Sequence, residues 1–254
     1  MRWSRRPTLL GHVSYLERVT QFAEIYFSDL QHIDRQRQLV EQNTRQFLSR
    51  KPANNVLMTG ARGTGKSSLV RACLTEFHGQ GLRVIEVEKQ DLMDLPRLVE
   101  AVANAPYRFI IFCDDLSFES GDSGYKALKS VLDGSVSAQS DNLLIYATSN
   151  RRHLMPEHMS ENLETRYEAT GEIHPGETVE EKISLSERFG LWVSFYSFSQ
   201  QDYLDIVVHW LRHYGCSDAL IQEARQPALQ WALERGSRSG RVALHFARDW
   251  AGRH

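Results

Sequence analysis

The stretch GARGTGKSS, residues 60–68, defines the structure around it more firmly than any other part of the sequence. It follows the apolar run NVLMT, which predicts a short buried strand. It precedes apolar residues at helical spacing between Ser67 and Phe77, which predict a helix. Its pattern is a glycine, four free positions, a glycine, a lysine and a serine. Between a strand and a helix, this pattern forms a loop that binds phosphates. We therefore predict a strand–loop–helix unit that binds a nucleoside triphosphate.

The residue types in this loop suit a polyphosphate. Its glycines permit a close backbone approach, so that successive N–H groups can turn toward an anion. The helix that begins near Lys66 adds unpaired N–H groups and a partial positive charge at its N-terminus. Lys66 is expected to reach the β- and γ-phosphates, and the Ser67 hydroxyl is expected to bind Mg²⁺. The predicted nucleotide-binding residues are Gly60, Ala61, Arg62, Gly63, Thr64, Gly65, Lys66, Ser67 and Ser68.

Composition limits the other possibilities. With 30 basic and 32 acidic side chains, the chain has no overall electrostatic bias toward nucleic acid or acidic membranes. Its cysteines, Cys73, Cys113 and Cys216, are odd in number and widely spaced, which favours reduced thiols over a disulfide framework. The basic start MRWSRRPTLL is not followed by an apolar stretch of signal or membrane length. We expect a cytoplasmic protein without a membrane span.

The periodicity of apolar residues divides the chain into three parts. Residues 1–53 are expected to be an N-terminal helical segment without a strand, from the patterns YLERVTQFAEIYF and QHIDRQRQLVEQNTRQFLSR. Residues 54–198 alternate strand and helix patterns, which predicts an α/β core with a parallel, doubly wound sheet. The five predicted strands lie in NVLMT, LRVIEV, RFIIFCDD, NLLIYATSN and LWVSFYSF. Residues 199–254 predict a small C-terminal lid of about three helices, with breaks at Pro227 and GSRSG.

Polar side chains follow two of the predicted strands. RFIIFCDD ends with Asp114 and Asp115, and a strand ending in a carboxylate delivers it to the crevice at the carboxyl edge of a parallel sheet. We expect Asp114 to help hold Mg²⁺ and Asp115 to polarise the attacking water as the catalytic base. Glu119, four residues further on, could assist or replace Asp115. Asn150, at the end of ATSN, could hydrogen-bond this water or the γ-phosphate.

Together, these motifs and the C-terminal helices resemble the AAA+ ATPase fold of the P-loop NTPases. The strings PANNVLMTGARGTGKSSLV, FCDDLSFE, YKALKSVLDG, ATSNRRHL and SLSERFGLWVSF are similar, more narrowly, to an AAA+ family catalogued as domain of unknown function 815. That resemblance runs from about residue 28 to the C-terminus. It implies Mg²⁺ at Ser67 and Asp114 and a γ-phosphate sensor at Asn150. The HIDRQ stretch resembles the segment that packs on adenine, with Ile33 as the candidate contact.

Two arginines take roles from this resemblance. Arg188, in SLSERFGLW, corresponds to the arginine that AAA+ proteins insert into a neighbouring subunit's site, which implies a homo-oligomer. The alternative is that Arg188 only pairs with a surface carboxylate. Arg241, in GSRSGRVALHF, resembles the second γ-phosphate sensor, carried by the lid, and Arg238 is the competing choice.

Two functions therefore stay open. One is an ATPase that hydrolyses ATP with Mg²⁺ and remodels an unidentified protein or nucleic-acid partner. The other is an ATP-gated binding or scaffolding module with slow or vestigial hydrolysis. Asp115 keeps the second function open, because AAA+ proteins usually carry a glutamate there. A GTPase is disfavoured because the sequence lacks the asparagine-lysine-x-aspartate guanine signature.

Overall fold

Strands and helices alternate through the middle of the chain, and helices alone follow. The computed structural model describes residues 1–8, 11–118, 122–133, 141–150, 166–167, 173–174 and 185–254. The strands are β1 (Arg2–Thr8), β2 (Gly11–Glu17), β3 (Val56–Gly60), β4 (Leu82–Glu86), β5 (Arg108–Cys113), β6 (Leu143–Ser149), β7 (Arg166–Tyr167), β8 (Ile173–His174) and β9 (Leu191–Phe195). The described α-helices with assigned bounds are α1 (Asp34–Leu48), α2 (Lys66–Phe77), α3 (Leu95–Val102), α4 (Ser123–Leu132), α5 (Gln200–His213), α6 (Asp218–Glu234) and α7 (Gly240–Arg253).

The central sheet has the strand order β2-β1-β4-β5-β6-β3-β9, and β7 and β8 form a separate antiparallel pair. Five neighbouring strands of this sheet are parallel: β4, β5, β6, β3 and β9. This confirms the five predicted parallel strands. Helices cover both faces, so β3 is buried along Val56, Leu57 and Met58. The chain leaves β3 for β4, three positions away, and returns to β9 on the other side. Such a reversal opens a ligand crevice at the carboxyl ends of the strands.

The prediction of an N-terminal segment without strands is wrong. β1 and β2 form an antiparallel hairpin, and β1 extends the sheet beside β4, so the sheet has seven strands rather than five. The reason is a contact distant in sequence: Trp3 is buried, and its indole N–H donates to Asp94 at 3.1 Å. Burial of an aromatic side chain outweighs a local helical preference. Of the patterns predicted as helical, the second forms α1, whereas residues 18–26 have no regular structure.

The C-terminal part packs as three helices around its own apolar core, as predicted. Ser199, Ser217 and Ser239 cap α5, α6 and α7 by accepting a backbone N–H from the first turn. The predicted break at Pro227 is wrong, because this proline lies inside α6. Ala224 and Ala228, near it in α6, are fully buried, and this packing outweighs the backbone hydrogen bond that proline cannot make. Among the described helices, none has the length and apolar character to cross a membrane.

Candidate nucleotide-binding site

The loop at residues 60–67, called here the phosphate loop, joins β3 to α2 as predicted. Gly60 has a φ of +123°, and a Cβ there would lie 1.9 Å from the carbonyl oxygen of Phe195 at the end of β9. Only glycine permits this approach. Gly65, with a φ of +100°, caps the N-terminus of α2 in the left-handed region. The first turn of α2 therefore starts directly at the loop, with its free N–H groups at the carboxyl edge of the sheet.

Lys66 lies beneath the loop rather than in solvent, with 5% of its surface exposed. Its ammonium group donates to the carbonyl oxygens of Gly60 at 2.8 Å and Ala61 at 2.7 Å, and to the Asn150 side chain at 3.1 Å. Burial lowers the pKa of Lys66, and the nearby carboxylates of Asp114 and Asp115 oppose this effect. The lysine is thus a localised cation between the loop and the strand ends.

One oxygen of Asp114 accepts two hydroxyl hydrogen bonds. Ser67 donates to it at 2.7 Å, and Thr148 donates to it at 2.6 Å. Both predicted Mg²⁺ residues therefore lie in contact, and they offer the hard oxygen ligands that Mg²⁺ prefers. In the described part of the chain, no group of three or more His, Cys, Asp or Glu side chains could hold a metal. A Mg²⁺ ion here would therefore take its remaining ligands from phosphate oxygens and water.

Thr148 was missed by the sequence analysis. Besides binding Asp114, its hydroxyl accepts the backbone N–H of Asp115 at 2.8 Å, and the side chain is almost completely buried. A signal for it was present, because Thr148 precedes Asn150 by two residues, and residues two apart share a face of a strand. Thr148 thus links the end of β6 to the carboxylate of Asp114 and to the backbone of Asp115.

Asp115 occupies the left-handed region, with a φ of +50°. This conformation is uncommon for a residue with a side chain, and such residues concentrate at functional sites. The Asn150 amide donates to the Asp115 carboxylate at 2.5 Å. Lys66, Asp114, Asp115 and Asn150 therefore meet at the edge of the sheet, where their motifs placed them. Glu119 lies outside the described residues, so its predicted role as a base stays a prediction.

Two segments distant in sequence contact the phosphate loop. Ile33, 4% exposed at the start of α1, places its Cδ1 3.2 Å from the position of a Cβ on Gly65. From the lid, residues 199–254, the Gly240 N–H donates to the Gly63 carbonyl oxygen at 2.9 Å. A Cβ on Gly63 would lie 3.7 Å from the Cβ of Arg241. Ile33 and Arg241 are therefore beside the loop from opposite ends of the sequence.

Arg188 lies elsewhere in the same chain. It precedes β9, whereas Phe195 at the other end of that strand touches the phosphate loop. A strand of five residues spans about 17 Å, so the intervening strand separates Arg188 from the loop. Within the chain, Arg188 pairs with Asp133 at the end of α4, which is the ion pair left open by the sequence analysis.

Comparison with known proteins identifies the family. A family model described as "Protein of unknown function (DUF815)" matches residues 1–254. The chain belongs to the DUF815 family. No curated protein sequence matches this DUF815 chain.

Solved structures match this DUF815 chain across most of its length. They include the RuvB Holliday junction branch migration motor of Thermotoga maritima, at TM-score 0.53 and 14% identity over 88% of this chain and 63% of that one. Another is the Aeropyrum pernix ORC1 protein in complex with DNA, at 0.56 and 15% over 87% and 59%. A third is the Escherichia coli MS115-1 HORMA:CdnC:Trip13 complex, at 0.54 and 11% over 87% and 89%. These likenesses confirm the AAA+ fold. The chain spans about three fifths of the RuvB and ORC1 chains.

Proposed function

We propose that this DUF815 protein is an ATPase that binds ATP with Mg²⁺ at the phosphate loop and hydrolyses it within a homo-oligomer. Its nucleotide cycle would remodel a protein or nucleic-acid partner. The observation that carries the proposal is the convergence of Lys66, Asp114, Asp115 and Asn150 on the loop, through direct hydrogen bonds. These side chains supply a cation, a metal ligand, a base and a water-orienting amide.

Binding of ATP would use the loop and both segments that contact it. The backbone N–H groups of residues 60–68 surround the phosphates, and Lys66 exchanges its loop carbonyls for phosphate oxygens. Ile33 offers an apolar surface to the base. Arg241 reaches the γ-phosphate from the lid, and the position of its Cβ near Gly63 favours it over Arg238. Bound Mg²⁺ would neutralise charge on the phosphates.

Hydrolysis would begin with a water held between Asp115 and Asn150. Because the Asn150 amide fixes one carboxylate oxygen of Asp115, it also sets the direction in which the other oxygen points. A carboxylate in hydrogen-bond reach of the water accepts its proton as the water attacks the γ-phosphate.

The position of Arg188 supports the homo-oligomer. Since β9 separates this arginine from the loop of its own chain, its guanidinium would act at the site of a neighbouring subunit. Such an arginine neutralises charge on the transferring phosphoryl group, and it changes rates by about 10³ to 10⁵.

A second candidate is an ATP-gated binding module with slow hydrolysis. The specific observation in its favour is Asp115, which is one methylene shorter than glutamate and already holds the Asn150 amide at 2.5 Å. Such a pair could bind the nucleotide without positioning a water well.

Measuring phosphate release from ATP over a range of protein concentrations tests these functions. The ATPase predicts turnover per subunit that rises with concentration and disappears in Lys66→Ala. The binding module predicts that ATP binds but is turned over no faster than by Lys66→Ala. Failure of the wild-type chain to bind ATP would refute both functions.

A further inference from the structure

The segment just before α1 is fastened to the lid through His32. Its ring nitrogens lie 3.3 Å from an oxygen of Asp202 and 3.1 Å from an oxygen of Asp205. These aspartates are three residues apart at the start of α5, so they share one face of that helix. Only an imidazolium carries an N–H on both nitrogens, so the charged ring can donate to both carboxylates. The backbone of His32 is left-handed, with a φ of +60°, which residues with side chains rarely adopt. The contact therefore has a defined geometry, with both ring nitrogens of His32 placed against α5.

A second histidine–aspartate pair lies one turn further along α5, with the two residue types exchanged between the segments. His209 approaches the carboxylate of Asp29 at 3.7 Å, and Asp29 also accepts the backbone N–H of Tyr26 at 2.9 Å. In the first pair the histidine is on the N-terminal segment, and in the second it is on the lid. The two pairs place residues 29–32 along one face of α5, although the His209–Asp29 distance is longer than a hydrogen bond.

This connection leads directly to the phosphate loop. The residue after His32 is Ile33, whose side chain packs against Gly65 at the start of α2. The lid also reaches the loop through α7, where Gly240 donates to Gly63. A movement of the lid must therefore shift Ile33, break the His32 contacts, or change the loop itself.

We propose that His32 is a positioning residue for the nucleotide: it couples the orientation of the lid to the Ile33 surface that receives the base. The proposal rests on the proposed function of the phosphate loop. His32 acts through Ile33 and through α5. Loss of its contacts leaves the catalytic side chains in place but loosens the base-binding segment against the lid, so ATP affinity falls and turnover at saturation is preserved.

The test compares His32→Ala, Asp205→Asn and the double variant with a matched control, His213→Ala. His213 is exposed on the same helix and contacts the rings of Trp210 and Tyr214. Binding of a fluorescent ATP analogue and the steady-state KM and kcat for ATP are measured for each. We expect each single variant to weaken ATP binding and raise KM about fivefold. This effect is at the low end of the coupling free energies between sites, because the ion pairs are partly exposed.

The double variant separates coupling from general damage. If His32 and Asp205 act through one contact, the double variant binds ATP about as weakly as either single variant. The proposal would be overturned if the losses of ATP affinity in the two single variants multiplied in the double variant. It would also be overturned by an unchanged ATP affinity in His32→Ala, or by a fall in kcat without a rise in KM.

A second measurement needs no nucleotide. Amide hydrogen exchange in the unliganded protein should become faster in residues 27–33 and in the first turn of α5 for His32→Ala and Asp205→Asn, but not for His213→Ala. If wild-type protein fails to bind ATP, the proposed function fails, and exchange alone decides whether His32 couples the segments. Unchanged exchange in both variants refutes the coupling even in a protein that hydrolyses ATP.

Discussion

The hydroxyl of Thr148 donates a hydrogen bond of 2.6 Å to the carboxylate of Asp114. The same hydroxyl accepts the backbone N–H of Asp115 at 2.8 Å, so one buried side chain on β6 orients both acidic residues at the end of β5. A neighbour with no charge of its own thereby positions the two residues that we propose as metal ligand and catalytic base.

Replacement of this hydroxyl should therefore impair hydrolysis. Thr148→Val keeps the shape of the side chain but leaves the part-buried N–H of Asp115 and one part-buried oxygen of Asp114 with fewer partners, at a cost of about 1 kcal/mol in stability. We expect ATP turnover about tenfold below wild type and a higher Mg²⁺ requirement. Thr148→Ser retains the hydroxyl and is the control. Equal turnover, Mg²⁺ dependence and urea unfolding in the two variants would contradict this role.

Arg188 should complement a defective phosphate loop in a neighbouring subunit. Alone, Lys66→Ala lacks a working loop, and Arg188→Ala lacks the guanidinium, so each should lose about 10³-fold or more in turnover. When the two are mixed, sites with an intact loop from one chain and Arg188 from the other form again. We expect a clear recovery of phosphate release in the mixture.

The control for that experiment is Arg212→Ala, which removes an exposed arginine paired with Asp218 on the lid. It should hydrolyse ATP at the wild-type rate alone, since exposed ion pairs contribute little. A mixture of Lys66→Ala and Arg188→Ala with no more activity than either parent would exclude action across subunits.

The backbone contact at Gly60 predicts a large loss of stability for Gly60→Ala. Its Cβ would lie 1.9 Å from the carbonyl oxygen of Phe195, and the φ of +123° is strained for alanine. We expect the β3–β9 pairing to distort and the free energy of unfolding to fall by more than about 3 kcal/mol. The matched control is Gly252→Ala near the end of α7, where an added Cβ would meet no atom within 4 Å apart from its own helix backbone. This change should stabilise the protein by up to about 1 kcal/mol. Urea unfolding measures both changes, and a stable Gly60→Ala protein would refute the assigned geometry.

The three cysteines should differ sharply in reactivity. Burial raises the pKa of both Cys73 and Cys113 to about 12, so at pH 8 only about one in ten thousand of these thiols is ionised. Cys216 is partly exposed. A thiol reagent at pH 8 should therefore modify one cysteine in the native protein and three after denaturation. Rapid modification of native Cys216→Ser protein would contradict the burial of the other two.

The parallel sheet and the loop could be predicted because their signals are local. Apolar runs mark buried strands, and a glycine pattern next to Lys66 is specific for phosphate. Asp114, Asp115 and Asn150 could be placed together because the carboxyl ends of parallel strands meet at one edge. The hairpin was missed because the burial of Trp3 depends on Asp94, 91 residues away in the sequence. Thr148 was missed because it lies inside β6, whereas the predicted site residues follow the strand ends.

The N-terminal hairpin has a consequence for how the protein is made. β1 lies against β4, and Trp3 donates to Asp94, 91 residues later, so the hairpin is synthesised before the elements that support it. An isolated pair of strands is barely stable in water. The hairpin must therefore remain unsupported during translation until β4 and the segment that carries Asp94 emerge, and until then its unpaired strand edges are open to pairing with other nascent chains.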